Sequence, residues 1–339
     1  MRRKAIVFTE VNKAQLLEEP FSMEPGPGKV LVRTAFSTLS SGTERANLTG
    51  DLNVGYGKPQ TVAKFPRRGG YSTSGVVEKI GAGVTTVLPG DRVAMIHTTH
   101  SQYLEVDEKN LCKLEDGISL QEAAIWHIAT FPLAAIRKCR LEIGESAIVM
   151  GMGILGMMAV KLLRAAGAAP IIAVDPVEEK RAEALSLGAD YALDPFDPDF
   201  TGQVKAITET GCKVAIEVTG NGKALDMVLD CMARFGRVAL LGCTRNSDFS
   251  IDYYRKVHGP GISLIGAHTN ARPSRDSSGG WWTEYEDLEA VLRLIRLGRI
   301  KLADLVEEVH SPREAAQVYT RICTEKTFPL VQFDWSEEK

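Results

Sequence analysis

The chain has 339 residues, 44% of them hydrophobic, and its 40 Lys and Arg against 43 Asp and Glu give a formal net charge of −3. This composition predicts a globular protein of two domains, and it excludes the broad basic surface that nucleic acids or anionic membranes require. No apolar run approaches ~18 residues and no CxxC pair occurs, so we expect a cytoplasmic protein without membrane spans, disulfide framework or structural zinc site.

Residues 1–125 are predicted to form a β-rich region. "KAIVF" and "KVLVRTAFSTL" have the composition of strands, and "VVEKIGAGVTTVLPGDRVAM" reads as a strand, a glycine turn and a second strand. The apolar period becomes helical in "SLQEAAIWHIATFPLAAIRKC".

From residue 146 onwards, strands and helices alternate. "SAIVMG" is followed by the helical "ILGMMAVKLLRAAG", which Gly167 closes, and "PIIAVDP", "VAIEVTG", "RVALLG" and "ISLIGA" are further strands. This alternation predicts a parallel sheet covered by helices on both faces. The last part adds the helix "YEDLEAVLRLIRLGRI", a helix begun by Ser311 with Glu314 in a capping box, and the closing strand "PLVQFDW".

The segment "GMGILG" at residues 151–156 follows a strand and opens a helix, which is the setting of a dinucleotide-binding turn. Gly151 permits the tight turn, Gly153 allows the backbone to approach a pyrophosphate, and Gly156 lets the helix lie close to the strand. The helix start at Ile154 and Leu155 then provides the N–H groups that hold the phosphates.

Asp175 stands 24 residues after Gly151, at the end of the strand "IIAVD". A carboxylate in this place accepts hydrogen bonds from the ribose hydroxyls and repels a 2′-phosphate, so we expect NAD rather than NADP as cofactor. The later strand ends carry small residues of the kind that a close approach to the nicotinamide ribose requires, namely Thr219, Gly220, Gly242 and Cys243.

The order of "GVVEKIGAGVTTVLPGDRV", "GMGILG" and "VAIEVTGNGKALDMVLDCMARFGRVALLG" resembles the medium-chain dehydrogenase/reductase superfamily, of the alcohol and polyol dehydrogenase type. The resemblance implies an α/β fold: a GroES-like, β-rich catalytic domain at 1–125 and 271–339, split around a doubly wound Rossmann domain at 126–270. It places the active site between the two domains. We also expect a homodimer or homotetramer.

Many members of that superfamily hold a catalytic zinc, and this sequence departs from their ligands. The resemblance aligns Ser41 with the first ligand, Tyr71 and Ser72 with the next two, and Trp126 or His127 with the last. One histidine cannot hold zinc, which needs three or four converging ligands. We therefore expect a zinc-independent member in which Tyr71 occupies the space of the metal.

Several other side chains are candidates by the same resemblance. Thr43 aligns with the first residue of a proton relay, whose histidine is replaced by Ala46; Glu44 beside Arg45 is a candidate scaffold pair. His97, His100 and His127 suit proton transfer or substrate hydrogen bonding because imidazole titrates near neutral pH. We expect the catalytic set Tyr71, Thr43, His97 and His127, and substrate contacts from Ser41, Arg45, His100 and Trp126.

The polar segment 266–282, "GAHTNARPSRDSSGGWW", is the last candidate. His268, Asn270 and Arg272 could read hydroxyls or an anionic group, and Trp281 could stack on a sugar; the alternative is a surface or subunit-contact loop.

These features together predict an NAD-dependent, zinc-independent oxidoreductase of CH–OH groups in a sugar, polyol or related compound. The alternatives are a quinone or enone reductase, a dehydrogenase of the bacteriochlorophyllide hydroxyethyl type, and an NAD-binding sensor without catalysis.

Overall fold

The computed structural model describes residues 1–54, 61–277, 279–325 and 327–338. The strands are β1 (Arg2–Glu10), β2 (Lys13–Pro20), β3 (Lys29–Thr38), β4 (Ser72–Ile80), β5 (Arg92–Ile96), β6 (Tyr103–Asp107), β7 (Leu111–Lys113), β8 (Ala147–Met150), β9 (Ile171–Val174), β10 (Tyr191–Leu193), β11 (Cys212–Glu217), β12 (Met232–Leu240), β13 (Ser263–Gly266), β14 (Glu308–His310) and β15 (Val331–Asp334). The α-helices are α1 (Ser41–Leu48), α2 (Leu120–Ala123), α3 (Trp126–Lys138), α4 (Ile154–Ala166), α5 (Glu178–Ser186), α6 (Phe200–Thr208), α7 (Gly222–Asp230), α8 (Glu284–Arg296) and α9 (Ala315–Thr324). Of the helices in these ranges, none is long and apolar enough to cross a membrane.

The chain folds into two compact units, one of Met1–Ile128 with Lys301–Lys339 and one of Ala129–Ile300. The predicted second boundary at 270 differs from the observed one at 300. Segment 271–300 belongs to the second unit because Arg272 donates to the carbonyl of Thr130 at 3.2 Å and Asp287 accepts from Arg137 at 2.6 Å. These internal bonds tie the loop and α8 to α3.

The first unit is β-rich, as the sequence predicts. β1 and β2 form an antiparallel hairpin, and a seven-stranded sheet has the order β14-β15-β3-β4-β5-β7 with β6 paired to β3. Alternating apolar residues of β3 and β4, such as Val30, Val32 and Val77, are buried in one core cluster. α1 and α9 contribute to a second cluster around Phe333 and Trp335.

The second unit is a six-stranded parallel sheet of order β10-β9-β8-β11-β12-β13. Numbered within this unit, the order is 3-2-1-4-5-6, the doubly wound arrangement of dinucleotide-binding domains. α4 ends at Gly167, whose φ of 87° is the left-handed conformation that glycine adopts without strain, which confirms the predicted helix end. β9 and β10 extend the sheet on one side of β8, and β11, β12 and β13 extend it on the other side. Ligands bind outside the carboxyl ends of the strands at such a switch point, here between β8 and β11.

A cluster of ion pairs on β14 and α9 makes the stability of the first unit depend on pH. The hydrogen bond from Arg321 lowers the pKa of Glu308 to about 2, against burial, and His310 adds to the effect. The ionised form of Glu308 is more stable in the folded protein than in the unfolded chain. Its contribution to the free energy of unfolding is therefore complete above pH 4.5 and declines as the pH falls towards 2. We expect Glu308→Gln to lower the free energy of unfolding by about 1–2 kcal/mol near pH 6, after discounting for solvent screening, and by progressively less between pH 4.5 and 2.

Urea unfolding at a series of pH values measures this deficit. Asp116→Asn is the matched control, because the Asp116 side chain is fully exposed and lies 3.8 Å from its cation, Arg92. A deficit of Glu308→Gln that stays constant across this range of pH contradicts the assignment.

Candidate active site

The residues predicted to bind the cofactor all follow the carboxyl ends of neighbouring parallel strands. Gly151 follows β8, Asp175 follows β9, Thr219 and Gly220 follow β11, and Gly242 and Cys243 follow β12. Because β8, β9, β11 and β12 are adjacent and parallel, the structure brings these positions to one edge of the sheet. We call this edge, defined by Gly151, Asp175, Thr219, Gly220, Gly242 and Cys243, the coenzyme edge.

Gly151 of the coenzyme edge and Gly156 of α4 lie where no side chain fits. Gly151 has φ of 100°, and a Cβ there would lie 2.7 Å from Cγ2 of Thr219. A Cβ on Gly156 would collide with the carbonyl oxygen of Gly151, so this glycine lets α4 lie against β8 as predicted.

The N-terminus of α4 provides donors for an anion. Gly153 is its N-cap and has no side chain to cap it, so the first N–H groups, at Ile154 and Leu155, have no partner within the helix. Their partial positive charge suits the pyrophosphate of a dinucleotide.

Asp175 is held in place by its own backbone neighbours. Its Oδ2 accepts from the N–H of Met152 at 2.8 Å and its Oδ1 from that of Val177 at 2.9 Å, and each oxygen keeps a further lone pair for a ribose hydroxyl. Arg181, the nearby cation, donates to the carbonyl oxygens of Asp175 and Pro176 at 2.8 and 2.9 Å and lies 3.4 Å from Asp194. The charge available at this position is therefore negative, which favours a free 2′-hydroxyl over a 2′-phosphate.

In the first unit, three rings predicted to be catalytic come together. The ring centroids of His127 and Tyr71 are 5.6 Å apart, and those of His127 and His97 are 5.1 Å apart, both edge to face. His127 is buried and His97 exposed. His97 has φ of 55°, a strained conformation for a residue other than glycine and one often found at functional sites. We call Tyr71, His97 and His127 the ring cluster.

The hydrogen bond of His127 assigns its tautomer. Nδ1 lies 3.1 Å from the carbonyl oxygen of Tyr71, and a carbonyl can only accept. Nδ1 therefore carries the proton, and in the neutral imidazole the basic lone pair is on Nε2. The phenol of Tyr71 donates to Oγ of Ser40.

Of the side chains at the four positions that the resemblance assigns to zinc ligands, one is of a type that zinc prefers. Ser41 is the first residue of α1, and Ser72 donates its hydroxyl to the carbonyl of Ala124 at 2.7 Å. Tyr71 is bonded to Ser40, and the buried Trp126 has only an indole donor. Zinc prefers thiolate, imidazole and carboxylate ligands, of which His127 is the single example at these positions. The half-buried side chain of Thr43 lies on α1 with Ser41.

Two predicted substrate contacts of the first unit have structural roles instead. Arg45 donates its Nε to the carbonyl of Ile322 on α9 at 2.6 Å, so it joins two helices rather than pairing with Glu44. His100 has no exposed surface, and its nitrogens lie 2.7 Å from Oγ of Ser37 and 3.0 Å from the carboxylate of Glu44. Both of its polar atoms are therefore used inside the protein.

Segment 266–282 also differs from its predicted role. Arg272 is 3% exposed and donates to Oδ2 of Asp287 at 2.6 Å and to Oγ1 of Thr130 at 2.8 Å. It is thus a structural residue of the second unit rather than a group facing a substrate. His268 does remain exposed, after β13 on the same side of the sheet as the coenzyme edge. Partial burial and the charge of Arg245 lower its pKa.

We expect Arg272→Ala to destabilise the protein by about 3–5 kcal/mol, because it leaves the buried Asp287 with a single cation. Urea unfolding measures the loss, and NADH affinity of the folded variant should stay within about twofold, or 0.4 kcal/mol, of the wild type. Arg275→Ala, which removes an exposed arginine of the same segment, is the control. Unchanged stability together with weaker substrate binding would restore the role that the sequence suggested.

Two residues of these regions were not predicted. Ser40 accepts from the phenol of Tyr71, and Glu217 accepts from backbone groups of the coenzyme edge. Glu217 did leave a signal, since it is the one carboxylate in the otherwise apolar "VAIEV". Ser40 left none that distinguishes it from Ser41.

Family models match both parts of this architecture. The model described as "Alcohol dehydrogenase GroES-like domain" matches residues 26–139, and that described as "Zinc-binding dehydrogenase" matches residues 155–283. The two matched ranges contain the ring cluster and most of the coenzyme edge, respectively.

Curated relatives of the chain are named as dehydrogenases. (R,R)-butanediol dehydrogenase of Bacillus subtilis is 30% identical over 232 residues, which cover 60% of this chain and 66% of that enzyme. D-guloside 3-dehydrogenase of Shigella flexneri is 25% identical over 243 residues, 71% of this chain and 69% of that enzyme. The crystal structure of 2R,3R-butanediol dehydrogenase from Bacillus subtilis has a TM-score of 0.81 at 21% identity, covering 98% of this chain and 99% of that one, which shows the same fold. The chain belongs to the zinc-binding-type alcohol dehydrogenase family of the medium-chain dehydrogenase/reductase superfamily, a family of oxidoreductases that act on CH–OH groups.

Proposed function

We propose that this protein is an NAD-dependent oxidoreductase that works without zinc, on a secondary hydroxyl or keto group of a polyol, sugar or related compound. The observation that carries the proposal is that the chain has both an acidic coenzyme edge and a ring cluster, two of whose members, Tyr71 and His127, stand where the resemblance places zinc ligands. The first supports the choice of NAD, and the second supplies acid–base groups in place of a Lewis acid.

The ring cluster provides the groups for a proton transfer. His127 Nε2 is the base that accepts the proton of the substrate hydroxyl, and the Nδ1–H bond to the carbonyl of Tyr71 keeps the ring in that tautomer. The phenol of Tyr71 donates its proton to Ser40, so its oxygen is left to accept a hydrogen bond from a neighbouring hydroxyl of the substrate. His97, exposed and in ring contact with His127, returns the proton to solvent.

The coenzyme edge provides the binding of the dinucleotide. The N–H groups at the start of α4 hold the pyrophosphate, and Asp175 holds the adenosine ribose. Bound NAD⁺ supplies the hydride acceptor. In the balanced oxidation, the carbinol carbon loses a hydride to the nicotinamide and its oxygen loses a proton to His127, which leaves a ketone, NADH and one released proton.

The substrate class rests on two considerations. The relatives above are named for the oxidation of butanediol and of a guloside, which are small polyhydroxylated compounds. The ring cluster is also well suited to a hydroxylated ligand, because phenol and imidazole groups donate and accept hydrogen bonds.

Reduction of NAD⁺, followed at 340 nm with a panel of vicinal diols, polyols and glycosides, tests the proposal. We expect turnover with at least one compound, and a marked preference for NAD⁺ over NADP⁺. Reduction of quinones or enones with NADPH, without oxidation of any alcohol, would favour the quinone reductase alternative. Tight binding of NADH without turnover of any compound in either panel would favour the sensor.

A further inference from the structure

A carboxylate stands at the end of an otherwise apolar strand. β11 buries Val214, Ala215 and Ile216 completely, and Glu217, its last residue, is 2% exposed. Burial of a carboxylate costs free energy unless donors surround it, and here burial raises the pKa of Glu217. A hydrophobic residue at the end of β11 would avoid this cost, so the carboxylate indicates a role that needs a hydrogen-bond acceptor.

Glu217 accepts hydrogen bonds from the turns that follow two strands. Its carboxylate accepts from the N–H of Thr219 at 2.7 Å and from that of Gly220 at 3.1 Å, and also from the hydroxyl of Thr219. Its carbonyl oxygen accepts from the N–H groups of Leu241 and Gly242, at 2.9 and 2.8 Å. One residue thus fixes four backbone N–H groups after β11 and β12.

These turns are in direct contact with each other and with the dinucleotide-binding turn. A Cβ added to Gly220 would lie 2.7 Å from the backbone of Cys243, and one on Gly242 would collide with the N–H of Gly220. The methyl of Thr219 lies against Gly151, as described above. The three turns contact each other without intervening side chains. A displacement of the turn after β11 therefore also displaces the turns after β8 and β12 and changes the shape of the surface that they form together.

The same contacts continue into α7. Oγ1 of Thr219 accepts from the N–H of Asn221 at 3.0 Å, and Asn221 caps α7 by accepting from the N–H of Lys223 at 2.9 Å. Consecutive hydrogen bonds therefore connect Glu217, through Thr219, to Asn221. They fix the conformation of the turn after β11 and the position of the start of α7.

We propose that Glu217 is a positioning residue for the coenzyme: it holds the turns after β11 and β12 in the shape that receives the nicotinamide half of NAD. The inference rests on the proposed function, because it assumes that the coenzyme edge binds NAD. Glu217 itself is covered by Thr219 and Gly220, so it acts through these residues and does not touch the coenzyme.

Titration of NADH into Glu217→Ala, Glu217→Gln and wild-type protein tests this role. We expect the NADH Kd to rise about 10-fold or more in Glu217→Ala, in which three donors lose their acceptor. In Glu217→Gln the amide oxygen still accepts from Thr219, so the rise should stay below about threefold. Thr219→Val keeps the methyl against Gly151 and removes both bonds of Oγ1, the one donated to Glu217 and the one accepted from Asn221, and we expect a rise of about threefold from it.

The matched control is Glu122→Ala in the first unit. Glu122 is also a buried carboxylate that accepts two backbone N–H groups, from Leu302 at 2.6 Å and from Ala303 at 3.3 Å. We expect Glu122→Ala to lower Tm as much as Glu217→Ala does and to leave NADH Kd within about twofold of the wild type.

The outcomes separate this inference from the proposed function. Unchanged NADH affinity in Glu217→Ala with a lowered Tm shows that Glu217 only stabilises the fold, and overturns the inference alone. If Glu217→Ala does not fold, unchanged affinity in Thr219→Val and Glu217→Gln together overturns it. Absence of NADH binding by the wild-type protein contradicts the proposed function and with it the inference.

Discussion

Replacement of Asp175 by serine is expected to raise the NADH Kd about 10- to 100-fold, because two charge-assisted hydrogen bonds to the ribose become weaker neutral ones. The NADPH Kd should change little or fall, since the 2′-phosphate no longer meets a carboxylate. The wild-type protein should accordingly prefer NADH strongly, and Asp175→Ser should lose most of that preference. Fluorescence titration of both dinucleotides into both proteins measures the four constants.

The control for Asp175 lies in the same unit, at the other edge of the sheet. Asp190 accepts from the N–H of Ile171 at the amino end of β9, at 2.8 Å, so Asp190→Asn perturbs a comparable carboxylate away from the coenzyme edge. We expect it to leave both dinucleotide constants unchanged. Equal affinity of the wild-type protein for NADH and NADPH would show that Asp175 does not read the ribose.

Substitution of His127 by glutamine is expected to lower kcat about 10²- to 10⁴-fold, the usual contribution of a positioned general base. NADH Kd should remain within about twofold, or 0.4 kcal/mol, because this residue lies in the first unit and is not part of the coenzyme edge. Steady-state rates with the best substrate of the panel, measured beside NADH titration, separate the two quantities. Tyr71→Phe, which removes the phenol and keeps the ring, should also lower kcat, by less than His127→Gln.

His310→Gln is the control for the histidine substitution. His310 lies on β14 between the carboxylates of Glu308 and Glu314, at 2.7 and 3.2 Å, away from the ring cluster. Its substitution should leave kcat unchanged. Full activity of His127→Gln would exclude His127 as the base and leave Tyr71 or His97 in that role.

Local sequence signals predict much of the second unit. Gly151 and Gly156 of "GMGILG" lie where only glycine fits, and Gly167 marks the end of α4 by its left-handed conformation. The alternation of strands and helices predicts the parallel sheet, and a parallel sheet necessarily gathers Asp175 and Thr219 at one edge. These inferences depend on residues close in sequence, which is why they hold in the structure.

Other elements are set by contacts that the local sequence does not reveal. The segment that forms α1, "SGTERANL", contains Gly42 and Thr43, which are poor helix formers, and its helix is held through Leu48 in the core and Arg45 bonded to Ile322. Helix α7 ends at Asp230, because Met232 and residues 237–240 pair with β11, and residues 237–240 also pair with β13.

The candidate site shows the same division. A family resemblance identified Tyr71 and His127, which the structure does bring together with His97. The resemblance gave a substrate role to His100, and the polarity of segment 266–282 suggested one for Arg272. The polar atoms of these two side chains bond instead to Glu44 and Asp287. The hydrogen-bond partners of a long polar side chain can be far away in the sequence, and the local sequence pattern does not reveal them.

Zinc content of the catalytically active protein tests the central claim most directly. We assign proton transfer to His127 and give no role to a Lewis acid. Protein dialysed against a strong chelator should therefore contain less than about 0.1 zinc per chain, well below the one-to-one ratio of a catalytic site, and should keep its rate of NAD⁺ reduction. One zinc per chain, with activity that is lost on its removal and restored on its return, would contradict the account.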